Sequence, residues 1–150
     1  MYIKILAVIQ TIRIRQSLKN LLVLVPLFFT INIWFSPEDF SGMLNILLKA
    51  IYTMLGFFFL SASVYFLNDS IDINNDKKHS FKKHRPIAKG ELSIFSARVW
   101  ALTFCLLGNL ICYLTNPMLL SISVSFTILN FSYCIILKNI VIIDVITIAT

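Results

Sequence analysis

The chain alternates long apolar runs with short polar links. Apolar residues dominate 21–35, 45–67, 93–114 and 118–137, and a fifth run opens at Ile140. A helix needs about 20 consecutive apolar residues to cross the hydrocarbon of a bilayer. These runs therefore predict spanning helices. The first is short by itself, so its helix is expected to start upstream near Gln16. Pro26 within it is better tolerated in a bilayer than in water, because neighbouring helices re-satisfy the backbone groups it frees. Residues 36–42 form a short polar link with Pro37, Glu38 and Asp39, and Thr115-Asn116-Pro117 is a tight turn signal. Residues 1–20 read as a basic, partly amphipathic lead-in. The pattern predicts an all-α integral membrane helical bundle of about four complete transmembrane helices plus the start of a fifth, with no separate soluble domain.

Composition agrees with this pattern. Of the 150 residues, 58% are hydrophobic and 13% charged, against about a quarter charged in soluble domains. The net charge is +6, which taken alone would admit nucleic acid as a partner. Its placement excludes that reading. Lys4, Arg13, Arg15, Lys19, the lysines of 68–92 and Lys138 fall on one side of the expected spans. The links at 36–42 and 115–117 contain no Lys or Arg. By the positive-inside rule the N-terminus and the 68–92 loop are cytoplasmic, facing an anionic leaflet. Residues 1–20 lack the short apolar core and small-residue cleavage site of a secretory leader. Cys105, Cys112 and Cys134 lie inside apolar runs, where cysteine is a small buried hydrophobe.

Seven acidic residues occur in the chain, and Asp69, Asp72 and Asp76 cluster where the second run ends. If the helix of that run continues through them, the three-and-four spacing sets neighbouring carboxylates on one face, with Asn68 on the same edge. Like charges so placed repel unless a cation sits among them. Magnesium takes oxygen ligands, commonly one or two carboxylates together with substrate phosphates. The bland alternative is a solvated acidic helix end stabilised by local hydrogen bonds. The basic run that follows favours an anionic substrate with its metal. That run closes on Arg85-Pro86-Ile87-Ala88-Lys89-Gly90. Pro86 restricts one backbone angle and Gly90 frees another, so this loop is expected to have a defined shape. Neither His79 nor His84 has a Cys or His at zinc spacing.

Asn68-Asp69-x-x-Asp72-x-x-x-Asp76, then His79, Lys82 and Arg85-Pro86-Ile87-Ala88-x-Gly90, resembles the first signature of the UbiA superfamily of membrane prenyltransferases. Arg13-x-Arg15-Gln16-x-x-Lys19-Asn20-Leu21-Leu22 resembles the opening of the branch that moves phosphoribose from phosphoribosyl pyrophosphate to a polyprenyl phosphate. Leu137-Lys138 and Asp144-Val145 fit the same branch, whereas Ile14, Ser17 and Ser80 depart from it. The resemblance implies a larger helical bundle with a second acidic motif, of which residues 1–150 would be the N-terminal half. Asp144 is the only carboxylate after Glu91. It implies Mg2+ held by Asp69, Asp72 and Asp76 on a diphosphate donor. Asn68 would assist, and Lys19, Lys82 and Arg85 would contact the donor phosphates. The lipid acceptor would lie in the bilayer, and the expected location is a bacterial inner membrane. Two other readings stand beside it. One is prenyl transfer from a prenyl diphosphate to an aromatic acceptor. The other is a non-catalytic membrane fragment, or one needing a separate C-terminal half.

Overall fold

The computed structural model describes residues 2–136 and 138, all-helical with turns and without strands among the described residues. The order begins with α1 (Tyr2–Ile12), α2 (Ile14–Ser17), a 3-10 segment (Leu18–Leu24), α3 (Val25–Phe29) and α4 (Ile31–Trp34). It continues with α5 (Phe40–Ile71), α6 (Ile73–Lys78), a 3-10 turn (Lys82–His84), α7 (Pro86–Lys89), α8 (Ile94–Thr115) and α9 (Pro117–Ile135). Among the described residues, only α5, α8 and α9 are both long and apolar enough to cross a membrane. They coincide with the runs expected at 45–67, 93–114 and 118–137. The fifth run, including Asp144, lies outside the described residues.

The first expected span is where the structure differs. Residues 14–34 are helical in four short pieces. Pro26 has no N–H to give the carbonyl of Leu22. That carbonyl instead accepts from Val25 N–H, one residue earlier, which is the tighter 3-10 pattern. At Thr30 the backbone leaves helical angles, and its hydroxyl donates to Pro26 O at 2.8 Å. Trp34 Nε1 donates back to Leu27 O at 2.9 Å. Pro26 O keeps its helical bond from Thr30 N–H at 3.0 Å as well, whereas Leu27 O is served by the Trp34 indole.

The spanning helices are held by close approach and by polar seams. The main packed pair is α5 with α8. A Cβ on Gly108 would stand 2.8 Å from Gly56 O, so these backbones meet where no side chain fits. Towards the polar end, Phe104 stacks with Phe59 and Trp100 at 5.7 and 5.3 Å between ring centroids. Phe66, Ala62, Ala97 and Ala101 complete the buried cluster around it. Between α8 and α9, Ser123 hydroxyl donates to Asn109 Oδ1 at 2.8 Å. Asn109 Nδ2 in turn donates to Cys105 O at 2.9 Å. The outward faces carry Leu102, Leu106 and Ile128, each exposed by 60% or more. Apolar faces of that kind suit lipid.

The N-terminal lead-in is more deeply built in than its basic composition implies. Ala7 and Thr11 are buried, and Val8 and Ile12 pack against the same cluster as Phe66 and Ile87. Helix α1 therefore rests on α5 and α7. At Arg13 the chain turns through left-handed angles, φ 54° and ψ 56°. Among the described residues it is the one non-glycine with positive φ, a conformation that costs about 1 kcal/mol or more.

Candidate functional site

The acidic motif does not lie on one unbroken helix. α5 ends at Ile71, Asp72 caps it, and α6 starts at Ile73. Helical hydrogen bonding nevertheless passes the junction, with Asp72 N–H to Asn68 O at 2.9 Å and Asp76 N–H to Asp72 O at 2.8 Å. Asp69 and Asp76, two turns apart, consequently face the same neighbour, while Asp72 is directed elsewhere.

That neighbour is Arg85. Its Nη1 donates to Asp69 Oδ1 at 3.0 Å and to Asp76 Oδ2 at 2.7 Å. The loop expected to have a defined shape supplies it. Pro86 opens α7, and Gly90 closes it with φ 81°. Glu91 N–H returns to Pro86 O at 2.9 Å. Ile87, only 1% exposed, fastens the turn into the core. Arg13 adds a second guanidinium. Its Nη2 donates to both Asp69 oxygens, at 2.6 and 2.8 Å, and its head lies 5.0 Å from the centre of the Tyr65 ring. Asp72 pairs with Lys138. The Asp69 side chain is only 2% exposed, and a carboxylate so buried is retained as an ion only with such partners.

Beside this network is a cavity of about 230 Å³. Its lining includes Arg13, Lys19, Asn68, Asn130 and Tyr133 together with apolar side chains. The structure thus brings Lys19 and Asn68 to the cavity, and Asp69 beside it. Arg85 is held behind, between Asp69 and Asp76. Lys82 is exposed on its 3-10 turn and does not border the cavity. His79 serves its own loop, its Nδ1 accepting from Phe81 N–H at 3.2 Å.

The model of the UbiA prenyltransferase family matches residues 20–150. The chain belongs to the UbiA prenyltransferase family. It is also similar to decaprenyl-phosphate phosphoribosyltransferases. With that of Mycobacterium tuberculosis it shares 26% identity over 144 residues, covering 92% of this chain and 44% of the relative. With that of Mycolicibacterium smegmatis it shares 25% over 139 residues, covering 91% and 42%. An uncharacterised protein of Sinorhizobium fredii is 28% identical over 134 residues, covering 89% of this chain and 24% of that one. The chain spans less than half the length of these curated relatives. Family membership and three apolar spanning helices make this an integral membrane protein.

Three carboxylates and the Asn68 amide are oxygen ligands of the class magnesium takes. Their present counter-ions are Arg13, Arg85 and Lys138. Among the described residues, no three His, Cys, Asp or Glu side chains converge as a metal-holding group. By ligand type these residues suit magnesium, but Asp69 and Asp76 face Arg85 while Asp72 faces Lys138, so a shared ion requires those pairs to open. Arg13 is the site residue that sequence reasoning missed. It stood there as a basic residue of the lead-in and the first of the branch-like stretch, with no role assigned, and its partner is 56 positions away.

Proposed function

We propose that this chain forms the donor-binding part of a magnesium-dependent membrane transferase. The reaction is phosphoribosyl transfer from phosphoribosyl pyrophosphate to a polyprenyl phosphate. The observation that carries this is the network of Asp69, Asp72 and Asp76 with basic partners at one end of the spanning helices, beside a cavity that Lys19 and Asn68 line. Interleaved acidic and basic groups of that kind serve a metal-bound diphosphate, the acids facing the metal and the bases facing phosphate oxygens. The similarity to decaprenyl-phosphate phosphoribosyltransferases supports the choice of donor and acceptor.

In this reading Asp69, Asp72 and Asp76, with Asn68, hold Mg2+, which when bound supplies positive charge to the leaving pyrophosphate. Lys19 contacts the donor phosphates from the cavity wall. Arg85 keeps Asp69 and Asp76 at a fixed separation and lends charge to the same end. Lys82, exposed on its turn, meets the donor only as it enters. The acceptor phosphate oxygen attacks the sugar carbon as its bond to pyrophosphate breaks, and electrostatic stabilisation of the departing charge lowers the barrier. The acidic end of α5 is cytoplasmic, in a bacterial inner membrane.

Radiolabelled phosphoribosyl pyrophosphate, offered to membranes containing the protein and a polyprenyl phosphate, should pass label to the lipid phase. No transfer from that donor, with transfer from a prenyl diphosphate to an aromatic acceptor, would replace this reading by prenyl transfer.

A further inference from the structure

Arg13 stands at the meeting point of three features. It holds Asp69, it borders the cavity, and its backbone is left-handed. We propose that Arg13 is an exchangeable binding residue for an anionic diphosphate, parked on Asp69 until the ligand arrives. The proposal rests on the diphosphate reading above and deepens it.

The geometry separates Arg13 from the other cation on the same carboxylate. Arg85 spans Asp69 and Asp76 and does not line the cavity. Removing it would strand Asp76, which has no other ion pair among the described residues. Arg13 bridges no second acid: among the described residues its side-chain hydrogen bonds go to Asp69 and, at 3.4 Å, to Gln16. If it leaves, Asp69 still accepts from Arg85 at 3.0 Å, a cation it shares with Asp76. The Arg13 side chain is 19% exposed against 2% for its partner, so an incoming ligand reaches the guanidinium before the carboxylate. Lys19 lines the same cavity. A small turn of Arg13 would therefore place two cations on one anion. The departure also uncovers Asp69 oxygens for a dication. One exchange thus turns a guanidinium–carboxylate pair into a guanidinium–phosphate contact and a carboxylate–metal contact. Guanidinium suits this because its planar donors match phosphate as well as carboxylate.

Opposite signs test it. The full chain in detergent or nanodiscs is titrated with Mn2+ alone, followed by electron paramagnetic resonance, and separately with inorganic pyrophosphate at saturating Mg2+, followed by calorimetry. Arg13→Gln should bind Mn2+ more tightly, by about threefold or more, since the competing cation on Asp69 is gone. It should bind magnesium pyrophosphate about tenfold more weakly, the scale of one lost charge-assisted hydrogen bond. Helical circular dichroism and monodisperse elution establish that the variant is folded. A purely structural role would weaken both ligands together, and that result overturns the proposal, as does unchanged pyrophosphate affinity. Should Arg13→Gln fail to fold, Arg13→Lys takes its place, with smaller shifts of the same opposite signs expected. Shifts of one sign in Arg13→Lys overturn the proposal equally. Wild-type protein that binds Mn2+ but no pyrophosphate would remove the diphosphate reading itself, and this inference with it.

Discussion

Arg85 carries two acids with one nitrogen, and that makes it the most consequential side chain of the polar end. Asp69 and Asp76 are 2% and 4% exposed in their side chains. Arg85→Met would leave Asp76 without a counter-ion among the described residues. Breaking a buried pair on one side costs about 3 kcal/mol or more, because the remaining charge is uncompensated. Thermal unfolding in detergent should show that loss, whereas Lys78→Met, on the exposed face of α6, should leave the midpoint near that of the parent. Equal midpoints for the two variants would show that Arg85 is not holding the motif. The sequence made Asp69, Asp72, Asp76 and Arg85 visible as a group because they stand within a short stretch. It marked Arg13 within the N-terminal stretch but gave it no role, since no local pattern links it to Asp69.

At the scale of elements, two contacts decide how the long helices stand. Both Gly56 and Gly108 sit at the α5–α8 crossing. A Cβ at Gly108 would meet Gly56 O and the Leu60 side chain, each at 2.8 Å, whereas one at Gly56 would meet chiefly Cys112 Sγ at 2.7 Å. A thiol can rotate away more readily than a backbone carbonyl can move. Gly108→Ala should therefore cost more than Gly56→Ala, with overpacking in the range of about 1–3 kcal/mol. Unfolding of the two variants side by side checks the order. At the other end of α5, Asp39 caps the helix by accepting from Gly42 N–H at 2.9 Å and from Ser41 hydroxyl at 2.9 Å. The Gly42 N–H, followed by the Ser41 hydroxyl, lowers the Asp39 carboxyl below its usual value of 3.8. Since the folded value is the lower one, the cap's contribution is present above the unfolded value and is lost as pH falls through the folded value. A carbon-13 NMR titration should find the Asp39 midpoint below 3.8. In Ser41→Ala that midpoint should move back up, and no movement would discount the hydroxyl's share.

For the whole molecule, the arrangement of α5, α8 and α9 sets which segments share a side. Ser36 precedes α5 and Ser80 follows it, so the two should lie across the bilayer from each other. Asn116, beyond α8, should lie with Ser36. Single cysteines at these three positions, in a background with Cys105, Cys112 and Cys134 replaced by Ser or Ala, can be probed with an impermeant thiol reagent. Labelling of Ser80→Cys from the cytoplasmic side alone, and of the other two from the opposite side, is expected. Labelling of all three from one side would mean that α5 does not cross.

The amino-acid sequence by itself determined the membrane class, the three long helices and the acidic motif. Each is a local matter: run length decides whether a helix spans, and residue spacing decides which acids can be neighbours. It also determined the Arg85–Gly90 turn, because Pro86 and Gly90 constrain their own backbone angles. Tertiary structure decided what pairs with what. It broke the expected first span at Pro26 and Thr30, where a 3-10 bond to Leu22 O and the Trp34 indole on Leu27 O stand in for ladder bonds. It packed the basic lead-in into the core, joined Arg13 to Asp69 and Lys138 to Asp72, and placed Lys19 at the cavity while leaving Lys82 outside. Ion pairs between distant residues depend on how helices cross, and in this chain the crossing is set by glycine contacts and interhelical hydrogen bonds that run-length patterns do not record.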